Sequence, residues 1–182
     1  MDVWLLMSGG IDSTASAHYF AQRGDAVQGI FVDYGQAAVC REREAANAVA
    51  DYLSIPIAEL RFQSPQRFAT GEIVGRNAFL IFSAMMGMNL KQGILSMGIH
   101  AGTQYYDCGS DFIKRVGVLI DNYSVGQLTL HCPFQNNNKD FVYAYALSEC
   151  IPLHLTYSCE LGTVPPCGQC LSCKDRYALT IS

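Results

Sequence analysis

The sequence predicts an α/β fold: a doubly wound, mainly parallel sheet of five strands, carrying a small zinc-binding segment at the C-terminal end. Three observations predict it. Apolar runs of strand length alternate with helical runs, the pattern of repeated strand–helix–strand units whose strands lie parallel and covered on both faces. The first strand ends in a glycine-bearing turn, Ser8-Gly9-Gly10-Ile11-Asp12-Ser13, from which a helix starts. Four cysteines, Cys159, Cys167, Cys170 and Cys173, cluster near the end in metal-ligand spacing.

The elements follow in order. Residues 3–7 (Val-Trp-Leu-Leu-Met) read as a buried strand and 14–23 as the first helix, stopped by Arg23-Gly24-Asp25. Residues 27–32 form a second buried strand ending at Asp33-Tyr34-Gly35-Gln36. In 40–53, Ala45, Ala46, Val49, Tyr52 and Leu53 share one face at helical spacing. Residues 54–56 break that helix and 57–62 make a third strand. Turn formers fill 63–75, a long loop. Gly75-Arg76-Asn77 then opens an apolar helix over 78–90, in which Met85, Met86 and Met88 are expected to fill core. Residues 93–99 are the fourth strand, followed by a polar turn at 100–104 and the cluster Tyr105-Tyr106-Asp107-Cys108. A helix over 110–123 sets Phe112, Val116, Leu119 and Tyr123 on one face, with Ser110 or Asp111 placed to cap it. A fifth strand is expected over 127–134, a helix over 139–149, and a last extended piece over 153–157. In such sheets ligands bind beyond the carboxyl ends of the strands, and the polar clusters fall there.

With 182 residues, 50% hydrophobic and 15% charged, residues 1–182 are expected to form one domain. No apolar run approaches the roughly 18 residues of a membrane span. Met1-Asp2-Val3 lacks the basic start of a signal peptide, so the expected location is cytoplasmic. A net charge of −4 with 12 Lys+Arg argues against a protein that wraps nucleic acid and favours small-molecule substrates. Of the eight cysteines, Cys40, Cys108, Cys132 and Cys150 are scattered and expected to be buried thiols.

Two stretches carry chemistry. A glycine turn at a helix start aims backbone N–H groups and the positive helix end at one point, which suits phosphate. Ser8 and Ser13 add hydroxyls, and Asp12 is placed to hold a metal accompanying the phosphates. No lysine follows the glycines, so this is not the G-x-x-x-x-G-K-[ST] loop. Arg76 and Lys139 are candidates for neutralising phosphate or carboxylate, as a bidentate fork and a point charge respectively. At the other end, C-x7-C-x2-C-x2-C supplies four thiolates for tetrahedral Zn²⁺ with no open position, a structural site, with an iron–sulfur cluster as the competing occupant. Lys174 and Arg176 are expected to offset part of its charge. His18, His100, His131 and His154 receive no role.

S-G-G-x-D-S after the first strand resembles the loop of the PP-loop ATP pyrophosphatases, which split ATP between its α and β phosphates and pass AMP to a substrate oxygen. Together with Asp33-Tyr34-Gly35-Gln36, Gly75-Arg76-Asn77, Tyr106-Asp107-Cys108, Lys139 and the cysteine tail, it makes the chain similar to the QueC family from about residue 3 to 178. The resemblance implies ATP- and Mg²⁺-dependent adenylation of the carboxylate of 7-carboxy-7-deazaguanine, attack by ammonia to give an amide, and a second activation to the nitrile. It implies a homodimer and assigns residues. Met7, Ser8, Gly9, Gly10, Ile11, Asp12 and Ser13 hold ATP, with Phe31, Val32 and Tyr34 on the adenine side. Ser8, Asp12, Ser13, Lys139 and Arg76 act on the reaction. Gln36, Arg76, Asn77, Tyr106 and Asp107 face the second substrate. The chain is shorter than family members in the 63–75 loop and between Gly98 and Asp107, both beside that substrate. An alternative therefore keeps the adenylation but gives the acyl group to a larger amine such as a protein terminus, as in a bacterial defence or modification system. A nucleotide-binding scaffold without catalysis is the non-enzymatic reading. A tRNA-thiolating or lysidine-forming relative fits poorly with the acidic balance.

Overall fold

The computed structural model describes residues 1–68 and 70–181. Five strands form one sheet: β1 (Asp2–Leu6), β2 (Ala26–Asp33), β3 (Ile57–Arg61), β4 (Gly93–Met97) and β5 (Leu128–Leu130). The order across it is β3-β2-β1-β4-β5, and every pairing is parallel. Between the strands run α1 (Ile11–Gln22), α2 (Val39–Leu53), α3 (Arg76–Gly87) and α4 (Ser110–Ser124). The helices α5 (Lys139–Ser148) and α6 (Leu171–Ile181) follow the sheet. The expected doubly wound sheet is thus present. The helix α6 lies in the cysteine tail, where no helix was expected.

The alternation of side chains along each strand divides the core in two. Val3, Leu5, Met7 and Phe31 turn toward Ala17 and Phe20 of α1 and Ala46 and Val49 of α2. Leu6, Ile30, Val32, Leu95 and Met97 turn the other way, onto Ile81 and Ala84 of α3 and Phe112, Val116 and Ile120 of α4. Each fully buried aliphatic or aromatic side chain contributes about 1.5–3 kcal/mol of transfer free energy. The chain leaves β1 toward one face and β4 toward the other, so these neighbours part at their carboxyl ends and leave a crevice between them.

Several expectations shift. The fifth strand is confined to Leu128–Leu130, and residues Leu153–Leu155 form a 3₁₀ turn rather than an extended piece. On α4 the buried face is Phe112, Ile113, Val116 and Ile120, while Leu119 and Tyr123 are exposed. Gly109, not Ser110 or Asp111, occupies the N-cap position of α4, and Asp111 pairs with Arg115 instead. Tyr52 and Met86 are exposed, as are Cys40 and Cys150, because each lies on the solvent side of its helix or at a helix end. No helix of the described residues is long and apolar enough to cross a membrane.

Candidate active site

The turn after β1 is built by two constraints. Gly9 has φ of 75°, and a Cβ there would lie 2.6 Å from the Ala46 amide nitrogen and 2.8 Å from the Glu42 carbonyl oxygen, so only glycine lets the turn rest on α2. Gly10 then takes the N-cap position of α1 in extended conformation without a side-chain cap, leaving the first amides of the helix to a ligand. Ser13 Oγ donates to the Gly10 carbonyl at 3.0 Å and lies 3.3 Å from Ser8 Oγ. Hydroxyls and amides therefore converge at one helix end.

This turn forms part of the wall of a cavity of about 840 Å³ at the carboxyl ends of the strands. Met7, Ser8, Gly10, Ile11, Asp12 and Ser13 line it from the turn, and Phe31, Val32, Tyr34 and Gln36 from the end of β2. Arg76 and Asn77 enter from α3, and Lys139 and Asp140 from α5. The start of α5 is fixed by Asn138, whose side chain accepts the Phe141 amide at 2.9 Å. Lys139 there forms an ion pair with Asp12 Oδ2, while Asp12 Oδ1 is buried without a hydrogen-bond partner.

Not every expected residue faces the cavity. Gly9 is buried under α2 and Tyr106 is exposed, its ring edge-on to Phe112. Asp107 is buried as a structural acceptor: its Oδ2 takes the Asn77 amide at 3.0 Å and its carbonyl takes Asn77 Nδ2 at 2.9 Å. It thereby satisfies one of the free amides at the start of α3. Gln36 is held within the wall, donating to the Val32 carbonyl and to Glu42 Oε2 and accepting the Tyr34 amide. Burial first, and the Glu42 charge second, push the Tyr34 hydroxyl up to about 12.

The structure also brings in residues that their sequence context did not mark. Glu42 sits in a charged helical run that resembles a solvated face, yet it lines the cavity, and burial pushes its carboxyl above the usual range. Gly98 closes β4 against the turn: a Cβ on it would lie 2.5 Å from the Ser13 amide nitrogen. The cysteine tail contributes Tyr157, Glu160, Ser172 and Arg176. The Tyr157 amide donates to the Gly9 carbonyl at 2.9 Å. Glu160 accepts the Gly71 amide with one oxygen and the Ser172 amide and hydroxyl with the other, joining the 63–75 loop to the start of α6. Arg176 spends its guanidinium on the Leu153 and Thr156 carbonyls and the Thr156 hydroxyl, whereas charge compensation of the cysteines was expected. His18 meets the Tyr145 hydroxyl and has a packing role.

The four cysteine sulfurs all lie within 4.8 Å of one another, a donor set that fits tetrahedral zinc. Burial opposes ionisation of Cys159, but hydrogen bonds from the Cys167 amide, the Thr163 hydroxyl and the Leu161 amide outweigh it and lower its thiol, while burial and the neighbouring sulfurs raise that of Cys173. Hydrogen bonds that favour the thiolate at Cys159 and Cys167 suit metal ligands.

A parallel sheet of this order, with an S-G-G-x-D-S turn at its crevice, defines an α/β nucleotide-binding fold of the PP-loop kind. Its fold resembles that of a solved structure described as a predicted subunit of tRNA methyltransferase from Methanocaldococcus jannaschii, with a TM-score of 0.54 at 17% identity over 81% of this chain and 74% of that one. More specifically, the family model described as "Queuosine biosynthesis protein QueC" matches residues 2–75 and 66–179, and the chain belongs to the QueC family. Relatives include 7-cyano-7-deazaguanine synthase 1 of Sulfurisphaera tokodaii, 27% identical over 97% of this chain and 91% of its own length. The 7-cyano-7-deazaguanine synthase of Synechococcus sp. (strain CC9605) is 29% identical over 95% of this chain and 89% of its own. The chain is thus an enzyme of the QueC family, for which ATP use is implied. The two matched pieces meet at 66–75, within the loop expected to be shortened. The Synechococcus alignment runs over 206 positions against 182 residues here, so that relative carries stretches this chain lacks.

Proposed function

We propose that the protein activates the carboxylate of 7-carboxy-7-deazaguanine with ATP and converts it, with ammonia, to the nitrile 7-cyano-7-deazaguanine. The observation that carries this reading is the S-G-G-x-D-S turn, open to a large cavity and faced by Lys139. In the first step a substrate carboxylate oxygen attacks the α-phosphorus, the bond to the bridging oxygen breaks, and pyrophosphate leaves. The free amides of α1 with the Ser8 and Ser13 hydroxyls receive the charge that grows on the leaving group; one such donor is typically worth about 3 kcal/mol in related sites. Lys139 adds a positive charge beside them, and Arg76 on α3 a second from the opposite face of the sheet.

Ammonia then attacks the acyl carbon and AMP departs, leaving an amide and a proton. The amide oxygen then attacks the α-phosphorus of a second ATP and pyrophosphate leaves, and loss of AMP and protons from the adenylated amide gives the nitrile. Asp12, with its buried and unpartnered Oδ1, fits Mg²⁺ accompanying ATP, which would supply further neutralisation of the phosphates. Cys159, Cys167, Cys170 and Cys173 would hold Zn²⁺ as a structural ion, bracing Tyr157 and Glu160 at the cavity wall.

The test is to incubate purified protein with ATP, Mg²⁺, the deazaguanine acid and ammonium, and to follow AMP and the nitrile by mass spectrometry. AMP release no faster than without the acid would refute the proposal. The shortened 63–75 loop favours one second reading, in which a protein amine replaces ammonia. AMP formation without nitrile, and a deazaguanine-sized adduct on a protein, would select it.

A further inference from the structure

One charged group on the cavity wall has no task in that scheme. Glu42, in the first turn of α2, lines the cavity. Its Oε2 accepts from Gln36 Nε2 at 3.0 Å. The Gln36 amide cannot turn over, because the same nitrogen donates to the Val32 carbonyl at 3.1 Å and its oxygen accepts the Tyr34 amide at 3.0 Å. The backbone of Glu42 is fixed as well, since its carbonyl abuts Gly9. The carboxylate is therefore aimed from both ends.

It is also uncompensated. None of the ion pairs among the described residues includes Glu42. Burial raises its proton affinity, and the Gln36 hydrogen bond and then Arg76, which lies beyond ion-pair reach, draw it partly back down. A desolvated carboxylate without a cation weakens the folded state, so a held and unpaired one at a cavity wall points to donors supplied by a ligand.

We propose that Glu42 is a specificity-determining residue that receives the N1–H and 2-amino edge of the deazaguanine ring; this rests on the carboxylate-activation reading above. The two N–H groups of that edge are adjacent and parallel, and the two oxygens of a carboxylate accept such a pair side by side. Its neighbours Gln36 and Arg76 are expected on the second-substrate side and Tyr34 on the adenine side, whereas the phosphate turn provides N–H and O–H donors and needs no carboxylate acceptor. A site built on such a pair rejects a ring that lacks the donors, because its own half-buried charge is left unmet.

Isothermal titration calorimetry on the wild type and Glu42→Gln, each with 7-carboxy-7-deazaguanine, with the same acid lacking the 2-amino group, and with ATP, tests the assignment. Glu42→Gln is expected to weaken the acid at least tenfold and leave ATP within twofold. The acid lacking the amino group should bind the wild type at least tenfold more weakly than the parent acid, and the variant should no longer distinguish the two. Thermal unfolding separates this from a structural role: removing a half-buried charge that no ion pair offsets keeps or raises the melting temperature, whereas losing a structural contact lowers it. Should Glu42→Gln fail to fold, Glu42→Asp, which keeps the charge but shortens its reach, must show the same selective loss. Equal acid binding by wild type and variant would overturn the assignment, as would a loss falling on ATP, which would give the carboxylate to the ribose hydroxyls. Failure of the wild type to bind the acid would overturn the proposed function and this assignment together.

Discussion

Gly98→Ala tests whether the end of β4 sets the position of the phosphate turn. A methyl at residue 98 would stand 2.5 Å from the Ser13 amide nitrogen, 2.6 Å from the Asp12 carbonyl carbon and 2.9 Å from the Asp12 carbonyl oxygen. All three are backbone atoms of the first turn of α1, so no side-chain rotation relieves the overlap. Ordinary non-bonded contact needs about 3.5 Å, which forces the two segments apart by roughly 1 Å. Overpacking of this kind costs about 1–3 kcal/mol of stability. A displacement of about 1 Å at reacting groups lowers rate about a hundredfold. The expected result is a folded protein, a few degrees less stable, whose pyrophosphate release falls by about two orders of magnitude. Coupled phosphate detection and a thermal melt read both. The matched control is Gly117→Ala on α4, where a new Cβ meets nothing within 4 Å. It should leave turnover unchanged and add about 0.5–1 kcal/mol through helix propensity. A Gly98→Ala protein with wild-type turnover would refute the coupling of β4 to the turn.

Three other predictions follow from particular contacts. Stripping zinc, or substituting Cys170→Ser, should release the metal measured by mass spectrometry and weaken ATP binding, because the segment that places Tyr157 against Gly9 loses a site worth on the order of 10 kcal/mol. Undiminished ATP affinity in the zinc-free, folded protein would contradict it. Asp107→Ala strands the buried Asn77 amide and should cost about 1–3 kcal/mol in urea unfolding, while Asp107→Asn, which keeps an acceptor oxygen, should recover most of it. Arg61, and after it Arg43, hold the Glu59 carboxyl below its usual range. Its contribution is present above the unfolded value of about 4.3 and is lost as the pH falls through the lower folded value, so Glu59→Gln should flatten the acid limb of the stability profile.

Strand and helix alternation was legible because buried parallel strands are written as continuous apolar runs, and S-G-G-x-D-S because its glycines meet a local backbone demand. The cysteine cluster was legible for the same reason: ligand spacing is a local property. What escaped depends on contacts between distant segments. Glu42 looks like one of several solvated charges until the turn after β1 is seen packed on α2. Gly98 carries no local signal, since its constraint is the backbone of Asp12 and Ser13 across the crevice. Leu119 and Tyr123 fit a helical stripe, but that stripe is wide, and packing on β5 chose Ile113 and Ile120 instead. Tyr106 and Asp107 marked the right segment, and of the two roles open to Asp107 in the sequence, substrate side or cap, the fold shows the cap on α3.

The hydrogen bond from the Tyr157 amide to the Gly9 carbonyl joins the turn after β1 to the segment ahead of the cysteine cluster, far along the chain. During synthesis the turn after β1 emerges well before its partner. Local helix contacts form early, but this long-range closure waits until Tyr157 has been made. The wall of the cavity at this turn is therefore completed only once the segment around Tyr157 has been made.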